Sequence, residues 1–135
     1  MRQIHVTVAL CATLLLSACS EVAVSGVNSL LDARDATISN RDIIGYSELI
    51  ADDYQGRKLG KVDIIKHMQQ MFDQFTQLKM ESFDREIFIA DDTHAQAAQS
   101  YRMKVLMDGT WREMLQREEL SLTRSDSGWK ISSGL

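Results

Sequence analysis

The dipeptide Asp108-Gly109 constrains the fold of this chain more than any other feature. It separates two long β-rich segments, 93–107 and 110–124. Asp-Gly is a strong signal for a two-residue hairpin loop, because both central residues of a type I′ turn need positive φ. The dipeptide therefore predicts a long antiparallel hairpin in which Gln99 lies opposite Glu118.

This register gives the two long strands faces of different character. One face carries Lys104 opposite Glu113 and is expected to face solvent. The other face is largely apolar, and we expect it to line the interior of the domain, because side chains alternate between the two faces of a sheet. The polar exceptions on this apolar face are Gln99, Tyr101, Gln116 and Glu118.

Three segments before the strands carry apolar residues at helical spacing. They predict an amphipathic helix over 27–38, a shorter helix after an N-cap at Asn40, and a third helix whose apolar face runs from Ile64 to Phe75. The polar segment 55–60 is predicted to be a loop. Two further strands are predicted at 78–90 and 129–133. The pattern predicts an α+β domain with three N-terminal helices packed on a curved antiparallel sheet.

The order of these elements, together with several short motifs, resembles the NTF2-like superfamily, including its SnoaL-like and ketosteroid-isomerase branches. The motifs are Asn40-Arg41-Asp42, Leu49-Ile50-Ala51-Asp52-Asp53-Tyr54, the loop with Gly56 and Gly60, and Gly128-Trp129-Lys130-Ile131. The resemblance covers nearly all of a domain at 27–135. It implies a cone-shaped, cystatin-like fold with an internal pocket, often dimeric through the sheet, which relatives use for isomerisation, cyclisation, hydration or simple binding.

The amino terminus has the features of a secretory signal. One positive charge at Arg2 precedes the mainly apolar stretch 4–16, which is too short for a membrane span. The motif Leu16-Ser17-Ala18-Cys19 then resembles the lipobox of bacterial lipoproteins. This resemblance implies a signal peptide at 1–18, cleavage before Cys19, acylation of Cys19 with palmitate or a similar chain, and retention on a membrane. The alternative is an ordinary secreted protein in which Cys19 is a free thiol.

The residues after Cys19 bear on location and partners. In the enterobacterial lipoproteins, Asp at the next position signals inner-membrane retention, so Ser20 implies the outer membrane, with the domain facing the periplasm. The segment 19–26 is expected to be a lipidated cysteine followed by a flexible tether. A net charge of -4 and the lack of a basic cluster argue against nucleic acid as a partner. A homodimer through the sheet is predicted, because Leu106, Trp111 and Leu115 place apolar area on the outer face.

Arg34 is the most informative single residue, because it lies in the middle of the apolar stripe of the first helix. A buried guanidinium must reach solvent, bind an anion or pair with a carboxylate. We predict that it meets Glu118 inside the cone, and an acidic ligand group is the alternative partner. The full set of predicted pocket residues is Arg34, Tyr46, Tyr54, His67, Met71, Gln99, Tyr101, Met103, Gln116 and Glu118.

Several catalytic chemistries lack their residues in this sequence. His67 and His94 cannot form a His-rich metal site without further ligands, and no Gly-x-Ser-x-Gly elbow is present. The general-base Asp that the ketosteroid-isomerase branch carries beyond its second helix has no counterpart in 55–57. We therefore expect neither a metal nor an organic cofactor, and no catalytic residues.

The expected function is that of a membrane-anchored periplasmic lipoprotein whose pocket binds a small or amphipathic ligand, or an envelope partner, without catalysis. One alternative is a small enzyme of the isomerase, cyclase or hydrolase class, with Glu118 as base and with Tyr101 and Arg34 steadying an anion. The other alternative is a protein-interaction module of an envelope complex that uses the exposed face of the sheet.

Overall fold

The computed structural model describes residues 12–135 and confirms the predicted fold class: helices pack on one face of a four-stranded antiparallel sheet. The helices are α1 (Ala12–Ser39), α2 (Ile43–Glu48) and α3 (Lys61–Gln74). The strands are β1 (Gln55–Gly56), β2 (Leu59–Gly60), β3 (Leu78–Ile89), β4 (His94–Met107), β5 (Thr110–Ser125) and β6 (Gly128–Ser133). The large sheet has the order β3-β4-β5-β6. The first part of the predicted signal peptide, residues 1–11, lies outside the described residues.

Helix α1 is longer than predicted. The segment 20–26, which was expected to be a flexible tether, is helical and continues without a break into the domain. The buried stripe extends into this segment, where Ala23 packs one turn before the fully buried Val27. Gly26 lies against Trp129, and a Cβ at this position would come within 2.9 Å of the indole Cδ1. These packing contacts support the helix, so the prediction that the backbone of residues 20–26 is a flexible tether is wrong.

The start of α2 also differs from the prediction. The N-cap is Asp42, whose Oδ1 accepts a hydrogen bond from the Gly45 amide at 2.9 Å, and not Asn40. Asn40 belongs to the end of α1, where Arg41 adopts a φ of 56° and the Asp42 amide donates to the Thr37 carbonyl at 2.8 Å. This left-handed closure terminates α1 and leaves Asp42 as the first residue free to cap α2.

The segment 55–60 is more regular than a loop. Strands β1 and β2 pair across a two-residue turn in which Arg57 and Lys58 have φ values of 49° and 68°. Helix α3 follows directly, and the Asp63 carboxylate accepts a hydrogen bond from the Gly60 amide at 2.9 Å. The hairpin holds Arg57 beside the cavity described below.

The hairpin between β4 and β5 has the predicted register. Asp108 and Gly109 have φ values of 49° and 75°, as a type I′ turn requires. Gln99 pairs with Glu118, and Lys104 pairs with Glu113. One feature was not predicted: β3 contains a bulge between Phe83 and Glu86, with Asp84 at a φ of 49°. A bulge bends its strand and redirects the neighbouring side chains.

The core lies between the helices and the inner face of the sheet. Its largest fully buried apolar side chains are Tyr46, Phe72, Leu31, Ile38, Ile50, Leu120, Leu122, Ile131 and Val27. Helix α1 packs on β3, and α2 packs on α3. No helix in residues 12–135 is long and apolar enough to cross a membrane.

Candidate functional site

A cavity of about 480 Å³ opens between α1, α3 and the inner face of β4 and β5. This volume lies within the range of about 300 to 1,000 Å³ that is usual for small-molecule sites. The lining residues Arg34, Tyr46 and Met103 are buried and form the floor, whereas Arg57 and His67 are exposed and mark the mouth. The cavity therefore runs from solvent to the centre of the domain.

An ion pair between Arg34 and Glu118 lies at the floor. The guanidinium is bidentate: Nη1 donates to Oε1, and Nη2 donates to Oε2 at 3.1 Å. Only 7% of the Arg34 side chain and 9% of the Glu118 side chain are exposed. Burial by itself would lower the pKa of Arg34, but the adjacent carboxylate outweighs burial, and the net pKa is raised. The predicted pairing of these two residues is confirmed.

A second layer of polar side chains holds Glu118 from behind the cavity. Gln99 is fully buried, and its Nε2 donates to Glu118 Oε1 at 2.8 Å. Arg85, which the β3 bulge turns towards α1, donates from Nε to Gln99 Oε1 at 2.7 Å. The same guanidinium donates to Asn28 Oδ1 and to Asp32 Oδ1, both at 2.9 Å. Because Arg85 engages the amide oxygen of Gln99, the amide NH₂ group is directed at Glu118.

Two tyrosines also line the cavity. Burial raises the pKa of Tyr46 to about 12, against the opposing effect of the Arg34 cation. Burial likewise raises the pKa of Tyr101, whose hydroxyl donates to Gln116 Oε1 at 2.9 Å. The Arg34 guanidinium carbon lies 6.0 Å from the centre of the Tyr101 ring, at the limit of a cation–π contact. Both phenols are therefore protonated at neutral pH.

The apolar part of the cavity wall is rich in methionine. Four of the seven methionines in the sequence line it. They are Met68 and Met71 on α3, Met103 on β4 and Met114 on β5. Ile38, Ile64 and Leu135 add to the apolar lining. Methionine side chains are flexible and polarisable, so this wall can adjust to ligands of different outline.

The structure brings eight of the ten predicted pocket residues to the cavity and leaves two outside it. The eight are Arg34, Tyr46, His67, Met71, Tyr101, Met103, Gln116 and Glu118. Gln99 lies behind Glu118, as described above. Tyr54 is buried elsewhere, where its hydroxyl accepts from the Leu135 amide at 2.9 Å and donates to the Leu135 carbonyl at 3.0 Å. The second helix was predicted to end with Tyr54, but α2 ends at Glu48, so Ile50 and Tyr54 lie beyond the helix. Tyr54 is therefore placed against the carboxyl-terminal residue and not in the cavity.

Sequence reasoning missed nine lining residues: Ile38, Arg57, Ile64, Met68, Met114, Arg117, Glu119, Gly134 and Leu135. A signal existed for some of them. Ile64 and Met68 precede Met71 by seven and three positions on one helix, and Met114 lies opposite Met103 in the predicted register. Arg117 and Glu119 occupy positions of the opposite parity to Glu118, so alternation assigns them to the outer face.

Groups that could hold a metal ion are absent from the part of the chain that the structure describes, where no cluster of three or more His, Cys, Asp or Glu side chains occurs. Asp52, beside the end of α2, is engaged by Lys61, whose Nζ lies 2.7 Å from Oδ1. This hydrogen bond and the charge of Lys61 lower the pKa of Asp52. The carboxylate is exposed and lies outside the lining of the cavity.

The fold and cavity agree with a match to a known family. The SnoaL-like domain family matches residues 27–134, which include every element from the middle of α1 to β6. The chain therefore belongs to the SnoaL-like family. No curated protein matches the sequence.

Solved structures with the same fold are distant in sequence. A proposed dehydratase of the NTF2-like family from Streptomyces avermitilis superposes with a TM-score of 0.75 at 13% identity, over 84% of this chain and 94% of that one. A proposed scytalone dehydratase from Novosphingobium aromaticivorans gives a TM-score of 0.76 at 10% identity, over 87% and 85%. A protein from Kribbella flavida gives 0.75 at 13% identity, over 85% and 89%. These similarities establish the NTF2-like fold.

Proposed function

We propose that this protein is a lipid-anchored lipoprotein of the bacterial cell envelope whose SnoaL-like domain binds a small amphipathic molecule without transforming it. The observation that carries the proposal is the state of Glu118 at the cavity floor. Its two oxygens accept hydrogen bonds from both Arg34 Nη atoms and from Gln99 Nε2. A general base needs a free lone pair within reach of the proton that it removes, and most of the lone pairs of this carboxylate are occupied.

The remaining features of the cavity support binding. Its floor is polar and hydrogen-bonded, and methionine and isoleucine side chains form an apolar part of its walls. A cavity that combines apolar surface with a few convergent polar groups is the usual form of a small-molecule site. An amphipathic ligand would bury its apolar part between α3 and the sheet and place one polar group near Arg34.

The anchoring part of the proposal rests on the sequence motif and on Cys19. This cysteine is exposed on α1, so its thiol is accessible for acylation. We propose that acylated Cys19 retains the protein on a membrane, with Ser20 directing it to the outer membrane and the domain facing the periplasm. Several acyl chains on one residue give durable anchoring.

A second candidate is an enzyme, and the resemblance in fold to two proposed dehydratases favours it. In this version Arg34 and Tyr101 would steady an anion while Glu118 removes a proton. The ion pair would first have to open, because Arg34 occupies both carboxylate oxygens. A turnover that Glu118→Gln abolishes would establish the enzyme and refute simple binding.

Native mass spectrometry of the protein isolated from its own host tests the binding function. We expect one small molecule per chain. In Met68→Trp a larger ring enters the cavity from α3, and the bound mass should be lost. Lys66→Trp is the matched control, because Lys66 is exposed on the same helix and does not line the cavity. The proposal would be contradicted if the wild-type protein carried no small molecule, or if Met68→Trp left the amount of bound molecule unchanged.

A further inference from the structure

Arg34 retains one hydrogen-bond donor that no described residue engages. A guanidinium has five N–H groups, and Glu118 engages one on each Nη atom. Arg34 Nε is buried and has no hydrogen-bond partner among residues 12–135. A buried donor without an acceptor is rare in folded proteins and marks a place where a further group belongs. Arg34 lines the cavity, and only 6% of this residue is exposed to solvent.

The positive charge of Arg34 at the cavity floor is already balanced. Glu118 neutralises Arg34 through two hydrogen bonds, and Arg85 behind Gln99 is paired with Asp32. A carboxylate ligand at the floor would place a second buried negative charge beside a cation that already has its counter-ion. Buried charges need a partner of their own, and the exposed Arg57 at the mouth lies too near solvent to serve the floor.

We infer that the cavity takes a ligand whose buried end is an uncharged oxygen acceptor, such as an ester, ketone or amide carbonyl, and whose body is apolar. This inference rests on the proposed binding function and specifies its ligand class. The carbonyl oxygen accepts from the unpartnered donor of Arg34, and the protonated hydroxyl of Tyr46, on the same floor, is a second donor.

The walls support an apolar body. Met68, Met71, Met103 and Met114 all line the cavity. Unbranched thioether side chains adapt to the outline of an apolar group, whether it is a chain or a ring. The apolar body then lies along α3, with its free end towards the mouth beside His67.

Three matched probes test the inference: methyl decanoate, decanoate and decane share a linear ten-carbon skeleton and differ in charge and in the presence of a carbonyl. Binding is measured by the methyl resonances of isotopically labelled methionines in the full chain. The four lining methionines report on the cavity, and Met80, which is buried outside the lining, is an internal control. We expect methyl decanoate to bind the wild-type protein about tenfold more tightly than either other probe, a difference of one decade in Kd.

Glu118→Gln provides a second, independent arm. The substitution removes the counter-ion of Arg34, so the preference should reverse and decanoate should bind more tightly than the ester. Tighter binding of decanoate to the wild-type protein, or equal binding of methyl decanoate and decane, would overturn the inference while leaving a ligand site in place. Lining methionine signals that no probe moves would overturn the binding function as well. The wild-type comparison does not depend on any variant remaining folded.

Discussion

Arg34 on α1 and Glu118 on β5 are 84 residues apart in the sequence and form a bidentate ion pair at the floor of the cavity. The pair joins the first helix to the centre of the sheet, and each ion makes the burial of the other tolerable. Because Gln99 also donates to Glu118, the carboxylate is held from two directions. The position of this pair determines both the polarity of the cavity floor and our view of what the protein does.

The pair predicts strong non-additivity in stability. Arg34→Met and Glu118→Gln should each lower the free energy of unfolding by about 3 to 5 kcal/mol, because each leaves a buried charge without its partner. The double variant should cost much less than the sum of the two, since no orphaned charge remains. Urea denaturation of the four proteins measures the coupling. Single variants that are nearly neutral, with effects that simply add, would show that the ion pair carries no stability.

The protonation of Tyr46 predicts a specific alkaline instability. Its pKa is raised from 10.0 to about 12 by burial, so its contribution to stability is complete below pH 10 and is lost as the pH rises towards 12. Two units correspond to about 3 kcal/mol. Between pH 10 and about pH 12, the free energy of unfolding should therefore fall less steeply with pH in Tyr46→Phe than in the wild-type protein. Tyr54→Phe is the control, and an equal flattening in both variants would contradict the assignment to Tyr46.

Much of the fold and site could be predicted because local signals and tertiary packing agree. Asp108-Gly109 predicted the turn, and the turn predicted which residues of the two strands lie opposite each other. Arg34 on the apolar face of the first helix and Glu118 on the apolar face of the sheet then each required a partner of opposite charge. The length of α1 could not be predicted, since the helix at 20–26 depends on contacts such as that of Gly26 with Trp129. The bulge after Phe83 was equally hidden, because Asp84 and Arg85 form part of an ordinary polar stretch in sequence.

The features of the site that could not be predicted also depend on packing between distant segments. Gln99 was correctly placed on the apolar face, but only the position of Arg85 behind it explains why it supports Glu118 without lining the cavity. Tyr54 was predicted to line the pocket, whereas it lies beyond the end of α2 and its hydroxyl contacts Leu135, a residue far away in sequence. Periodicity determines which face a residue occupies, and the packing of distant segments determines what that face meets.

Lipidation predicts a simple change in location. Cys19→Ala removes the thiol that would be acylated, so the protein should leave the membrane fraction or accumulate with its signal uncleaved. Cys11→Ala is the matched control, because Cys11 lies within the predicted signal and should leave fractionation unchanged. Fractionation of host membranes with detection of the mature mass measures both variants. Processing and membrane retention that persist in Cys19→Ala would contradict the lipoprotein assignment.

We also expect a homodimer through the outer face of the sheet. Leu115 is 60% exposed and Trp111 is 41% exposed on this face, and self-association would cover this apolar area. Leu115→Glu should shift the protein to monomers in sedimentation experiments at tens of micromolar. Val62→Glu is the control, since Val62 is exposed on α3, away from the sheet. A wild-type monomer at this concentration would rule out the dimer.

The most direct test of the central claim, that this domain binds its ligand without transforming it, is the identity of the ligand after prolonged contact with the protein. The molecule released from the protein isolated from its host is added back in excess, incubated and analysed by mass spectrometry. We expect the molecule to be recovered unchanged, with one molecule retained per chain. A product of different mass or structure that accumulates beyond one equivalent, and that disappears in Glu118→Gln, would rule out simple binding and identify an enzyme.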